Sequence, residues 1–146
     1  MNIVLREATG NDSEIIAELC GQLGYKTSSE KMLNRLSELL NNKNDHCIFV
    51  ATLNQSVVGW IHAFYSLTVE SDPLVEIAGL VIDKNNYRKG IGQMLVNKVT
   101  EWATTKAVSK LRVRSQVIRK EAHLFYQRIG FTEIKEQKVF DLYLAS

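Results

Sequence analysis

The sequence predicts a mixed α/β fold, one sheet with helices on both faces, and three observations predict it. Apolar residues recur at helical spacing in four stretches and at strand spacing between them, in the order β-α-α-β-β-β-α-β-α-β-β. Residues 74–82 (LVEIAGLVI) are apolar at nearly every position, as in a central strand covered on both faces. The chain of 146 residues is 45% hydrophobic with one proline, enough to bury a core of its own as a single domain.

Each element has a local reason. Ile3, Val4 and Leu5 open a short strand. Asn11, Asp12 and Ser13 offer capping oxygens to a helix carried by Ile15, Ile16, Leu19, Cys20 and Leu23, and Gly24 is placed to end it. Ser28 and Ser29 cap a second helix with Met32, Leu33, Leu36, Leu39 and Leu40 on one face. The period then changes. Residues 47–53 and 57–69 read as strands, with Glu70, Ser71, Asp72 and Pro73 as the break before the central strand. A helix follows on Ile91, Leu95, Val99, Trp102 and Ala103, then a strand at 111–113 and a helix over 121–129, stopped by Gly130. Residues 131–134 and 139–144 are expected to be the last strands.

The formal charge of +2 suits an anionic small ligand and falls short of the basic stripe a nucleic-acid binder needs. Cys20 and Cys47 form neither a disulfide framework nor a zinc pattern, so reduced thiols and no metal are expected. The first residues lack the charged and apolar regions of a signal peptide, and no apolar run is long enough for a membrane span. The expected location is cytoplasmic.

Residues 81–96 (VIDKNNYRKGIGQMLV) run from strand through a basic, glycine-bearing loop straight into a helix. In that loop Gly90 and Gly92 let backbone approach a ligand, the helix start presents unpaired N–H groups, and Arg88 and Lys89 add positive charge. This is an anion site suited to a pyrophosphate. The P-loop string is absent, and Leu95 stands where a dinucleotide fingerprint needs its third glycine. Alone, the pattern also fits a plain strand-to-helix turn.

Residues 75–103 together with LRVRSQVIRKEAHLFYQRIGF resemble the GNAT superfamily of acyl-CoA-dependent N-acetyltransferases. The first segment is similar to that family's strand, glycine loop and helix. In the second, Ala122, Phe125, Tyr126, Gly130 and Phe131 fall in register with its helix motif, and Leu5-Arg6-Glu7-Ala8 is similar to its opening strand. One position departs: Tyr87 stands where the family usually has Gln or Arg, and the arginine is Arg88.

The resemblance implies a GNAT fold, with a mostly antiparallel sheet of six to seven strands whose fourth and fifth splay apart. It implies acetyl-CoA as acyl donor, the pantetheine arm pairing with Leu80, Val81 and Ile82, and the pyrophosphate on Arg88, Lys89, Gly90, Ile91, Gly92 and Gln93. Phe125 and Tyr126 would line the other wall, and a backbone N–H near Val81 would serve the oxyanion.

Transfer of an acetyl group to an amine by direct attack needs a neutral amine, a stabilised oxyanion and a protonated thiolate. Tyr126 is the candidate general acid, against a plain core role. Glu76, a carboxylate in an apolar strand, is the candidate base, against an ion pair or a contact to the substrate's ammonium. His62, alternating with Trp60 and Phe64, faces the acceptor cleft or is a partly exposed strand residue; His123 is expected in a supporting role and His46 in a loop. Tyr25, Met32, Trp60 and Tyr65 read equally as acceptor-pocket walls or as core.

The segment RSQVIRKEAHLFYQRIGF is most similar to members acting on small amines, including aminoalkylphosphonate and aminoglycoside acetyltransferases. Glu70, Asp72 and Glu76 suit a cationic amine, whereas Arg114, Arg119 and Lys120 suit an anionic tail. A protein or peptide N-acetyltransferase and a non-catalytic acyl-CoA-binding module are the rival readings. A homodimer is expected through the final strands, whose edge invites pairing.

Overall fold

The computed structural model describes residues 2–145. They form two compact units, one up to Arg114 and one from Ser115 onward.

The first unit is a five-stranded sheet in the sequential order β1 (Ile3–Glu7), β2 (His46–Leu53), β3 (Ser56–Thr68), β4 (Ser71–Ile82) and β5 (Leu111–Val113). The first three pairings are antiparallel and the last is parallel. Helices α1 (Ser13–Cys20) and α2 (Ser29–Leu40) lie between β1 and β2, and α3 (Ile91–Thr104) crosses from β4 to β5. The second unit contains α4 (Lys120–Arg128).

Strand alternation sorts the core. Ile48, Val50 and Trp60 face Ile16, Ala17, Met32 and Leu36 of α1 and α2. The neighbouring position, Gly59, instead faces Ile91 of α3. Helices therefore cover both faces, and Ile61, Ile77, Leu95 and Val99 are fully buried. Two local signals hold: Ser28 Oγ accepts from Lys31 N at the start of α2, and Gly24 closes the turn after α1 in the left-handed region. The expected cap of α1 does not, since Asp12 stands at its N-cap with no side-chain cap bond. Both cysteines are free thiols, and burial pushes Cys47 up to about 12.

Two expectations on strands are corrected. Residues 71–73 belong to β4, because the hairpin turns at Val69 and Glu70; Pro73 is tolerated since β5 reaches back only to Val75, leaving no partner for an N–H there. Residues 131–145 form no strand, so the described sheet has five strands. Their alternation expresses strand propensity, but a strand also needs a paired edge. Ile134, Val139, Phe140, Leu142, Tyr143 and Leu144 are instead 67–90% exposed.

Asp12 closes the β1-to-α1 corner. It takes two hydrogen bonds of 2.9 Å from Arg6 and one of 2.8 Å from Thr9 N. The Arg6 hydrogen bond holds its carboxyl below the usual range despite burial. A lowered carboxylate pKa adds stability that is complete above the unfolded value and lost as pH falls through the folded one. Asp12→Ala is expected to cost about 1–3 kcal/mol in urea titrations at pH 7, with the deficit shrinking below about pH 4.

Candidate active site

The site begins where β4 loses a neighbour. Only Val75–Ile77 pair with β5, while the pairing with β3 continues to Ile82. Residues 78–82 therefore carry one open edge. A register shift opposite His62 and Ala63 leaves Ala78 unpaired as a bulge at the point of divergence.

Alternation then decides which backbone groups meet that edge. Asp83 N donates to Val58 O at 2.8 Å, so Asp83 and Val81 turn their main-chain groups into the sheet. Leu80 and Ile82 turn theirs to the open side. Gln22, in the turn after α1, already engages part of it: its Nε2 donates to Ile82 O at 2.9 Å, and its Oε1 accepts from Lys84 N at 3.0 Å. Leu80 N–H and C=O and the Ile82 N–H are left for an extended ligand. Nothing in the sequence marks Gln22, because its partners lie 60 and 62 residues away.

Beyond Ile82 the chain makes a 3-10 turn (Lys84–Asn86) capped by Asp83, then enters α3. Arg88 and Gly90 both have positive φ, +65° and +77°. Gly90 is the N-cap of α3 and supplies no capping side chain, and the first helical bond runs from Met94 N to Gly90 O at 3.1 Å. The N–H groups of Ile91, Gly92 and Gln93 thus point out of the helix start toward one place. Lys89 Nζ is held by Asn86 Oδ1 at 2.8 Å, and Gln93 Nε2 by Asn97 Oδ1 at 2.9 Å. An open strand edge leading to a helix N-terminus without a side-chain cap fits a chain of amides ending in a pyrophosphate.

The sheet face under α1 and α2 carries a second set. Trp60, His62 and Phe64 alternate along β3 and stay half-buried, and Glu76 pairs across from Phe64. Trp60 lies over Gly79, where a Cβ would come within 2.8 Å of the ring. Its Nε1 is buried without a hydrogen-bond partner, as is Thr27 Oγ1 in the connection between α1 and α2. Glu76 is paired: Arg114 Nε donates to both carboxylate oxygens, at 3.2 and 3.3 Å. His46 is the first residue of β2, and its Nδ1 lies 2.9 Å from His62 Nε2. Of the residues read as walls or core, Met32 is buried and Tyr25 is exposed.

In the second unit, Ala122, Phe125, Tyr126 and Ile129 make a half-buried stripe on α4. The helix closes through Gly130, with Phe131 N donating to Tyr126 O at 2.9 Å. That closure stacks Phe131 edge-on against the Tyr126 ring at 5.5 Å, with Phe125 on it at 5.2 Å. Burial pushes the Tyr126 phenol up, opposed by Arg119. His123 Nε2 donates to Gln116 O at 2.8 Å, tying the preceding loop to the helix.

Comparison with known proteins agrees with this layout. The chain is 25% identical over 128 residues to the uncharacterized N-acetyltransferase YhdJ of Bacillus subtilis, covering 87% of each. It is 32% identical over 88 residues to N-acetylaspartate synthetase of Xenopus tropicalis, covering 60% of this chain and 31% of the relative. The chain thus spans about a third of the length of such synthetases. In fold it is similar to an aminoglycoside 6'-N-acetyltransferase from Acinetobacter haemolyticus (TM-score 0.84, 19% identity, 99% and 100% of the two chains). It is also similar to a structure described as AAC(6')-Iy bound to a bisubstrate analog, CoA-S-monomethyl-acetylneamine (TM-score 0.85, 18% identity, 99% and 100%). No helix among the described residues is long and apolar enough to cross a membrane. The family whose sequence pattern covers residues 14–131 is described as Acetyltransferase (GNAT) family, and this chain belongs to that family.

Proposed function

We propose that this protein transfers the acetyl group of acetyl-CoA to a primary amine of a small molecule, by direct attack within a ternary complex. The observation that carries the reading is the open β4 edge running into the uncapped start of α3. On it, Leu80 and Ile82 hold the pantetheine amides, and the N–H groups of Ile91, Gly92 and Gln93 hold the pyrophosphate with Arg88 and Lys89 beside them. Val81, buried and with its main chain turned into the sheet, stands between Leu80 and Ile82, and a main-chain N–H near it serves the oxyanion. Bound acetyl-CoA supplies an activated thioester carbonyl.

Tyr126 is the proposed general acid, with Phe125 beside it lining the donor site. Its raised pKa keeps the phenol protonated through the neutral range, the state in which it can donate to the departing thiolate. For Glu76 we keep a part in receiving the amine, yet its ion pair with Arg114 favours orienting a substrate over taking a proton. Because the family pattern spans both units, we read them as one N-acetyltransferase domain. A small acceptor is supported by the likeness to aminoglycoside acetyltransferases; acetylation of a peptide amine, or acyl-CoA binding without turnover, is the alternative.

The test is thiol release from acetyl-CoA against polyamines, aminoglycosides, aminophosphonates, amino acids and short peptides. Turnover with one small-amine class bears the reading out. Turnover with peptides alone favours the protein-modifying reading, and tight acetyl-CoA binding without turnover on any amine favours the binding module.

We also propose a homodimer formed through residues 131–145, whose apolar side chains are exposed in the single chain. Light scattering is expected to give twice the chain mass at micromolar concentration, and the monomer mass after Val139→Glu with Leu142→Glu. A monomeric parent chain would remove the idea.

A further inference from the structure

The mechanism above leaves one step without an owner. An amine arriving as ammonium must lose a proton before it attacks, and Glu76 is already engaged by Arg114. Two histidines on the same sheet face have no part in that account. His62 pairs across from Gly79, beside the bulge where β4 leaves β5. His46, diagonal to it on β2, stacks on it with ring centroids 5.2 Å apart and an interplanar angle of 28°.

The 2.9 Å between His62 Nε2 and His46 Nδ1 is a hydrogen bond in which one nitrogen holds the proton and the other accepts it. His46 in turn lines a cavity of about 30 Å³ with Glu7, Leu40, Lys43, Cys47, Ile48 and Trp102. That is room for one water. Lys43 and Glu7 at this outlet lie 3.8 Å apart and are both well exposed, so the cavity leads to solvent.

We propose that His62 and His46 are a proton exit, carrying the proton released by the acceptor amine from the sheet face beneath α1 and α2 to the cavity beside Glu7 and Lys43. The inference rests on the acetyl-transfer reading above. In the resting pair His62 carries its proton on Nε2 and donates to His46 Nδ1. The substrate's N–H bond breaks as His62 Nδ1 gains the proton. The His62 Nε2 proton passes to His46 Nδ1, and the His46 Nε2 proton leaves to water. One proton enters, one leaves, and exchange with water restores the starting tautomers.

The groups around the pair suit a relay. Charged neighbours are Glu76 paired with Arg114 at one end, and at the other Glu7 paired with Lys43, with Lys106 over the Trp102 ring. Burial, reinforced by His46, holds His62 down to about 4, so the ring is neutral at pH 7 and able to accept on one nitrogen while donating from the other. A relay needs only a passing imidazolium, not a stored one.

The experiment combines nitrogen-15 spectra of the histidines with kinetics of His46→Gln and His62→Gln, scored by acetylated amine. Glutamine can keep a hydrogen bond but cannot pass a proton by changing tautomer. Expected are a neutral His62 with its proton on Nε2, kcat lowered about ten- to a hundredfold in both variants, unchanged acetyl-CoA affinity, and recovery of His46→Gln by added imidazole. A proton on His62 Nδ1 in the resting protein overturns the proposal without any substrate. Full kcat in both variants across the pH profile overturns the relay and leaves the acetyl-transfer reading standing. A wild-type protein that acetylates no amine overturns that reading, and the relay falls with it.

Discussion

Tyr126→Phe is expected to lower kcat roughly a hundredfold, the lower end of what a positioned general acid contributes. The substitution removes one oxygen and keeps the ring, so the edge-on contacts with Phe125 and Phe131 persist and the helix closure at Gly130 is untouched. Acetyl-CoA affinity should therefore change little, and the loss should appear in kcat with KM nearly constant. A second signature comes from pH. Burial raises the phenol's pKa, so ionised Tyr126 is disfavoured in the fold and the protonated form persists above the usual tyrosine range. Any basic limb due to this group then lies above about pH 10, and the same group makes stability fall as pH rises through its folded value. Steady-state kinetics against pH on both proteins check this. A variant with full kcat removes Tyr126 from the role.

Gly90→Val is expected to weaken acetyl-CoA binding at least thirtyfold while leaving a folded protein. Gly90 sits at φ +77° as the N-cap of α3. A Cβ there meets nothing within 4 Å, so the obstacle is the backbone angle and not space. A β-branched residue pays about 1–2 kcal/mol to stay left-handed. Relaxing toward ordinary φ instead would turn the N–H groups of Ile91 and Gly92 away from a common point. Since affinity at this place rests on converging N–H groups, a small rotation removes much of it. Calorimetry would give the affinity and thermal melting the cost in stability. Unchanged affinity would show that the phosphates bind elsewhere.

Sequence legibility followed the range of the interaction. The helix caps at Ser28 and Gly24, the loop through Gly90 and the closure at Gly130 depend on residues within a few positions of one another, and each could be read directly. Burial period gave the sheet's central strands and the faces of α1, α2 and α3, apart from Leu33, which is exposed. By itself the sequence therefore determined the element order, the anion loop and the family motifs, because these are local patterns of propensity and spacing.

Only the tertiary structure decided which backbone groups of β4 face the gap, because one unpaired residue at Ala78 and the hydrogen bond of Asp83 to Val58 fix that alternation. It also spent the Glu76 carboxylate on Arg114, 38 residues away, and set Gln22 on Ile82 and His46 on His62. The same reason accounts for residues 131–145, where strand propensity is plain and no described edge takes it up. A polar side chain's chemistry depends on its partner, and a partner brought by the fold from a distant strand leaves no mark in the sequence around it.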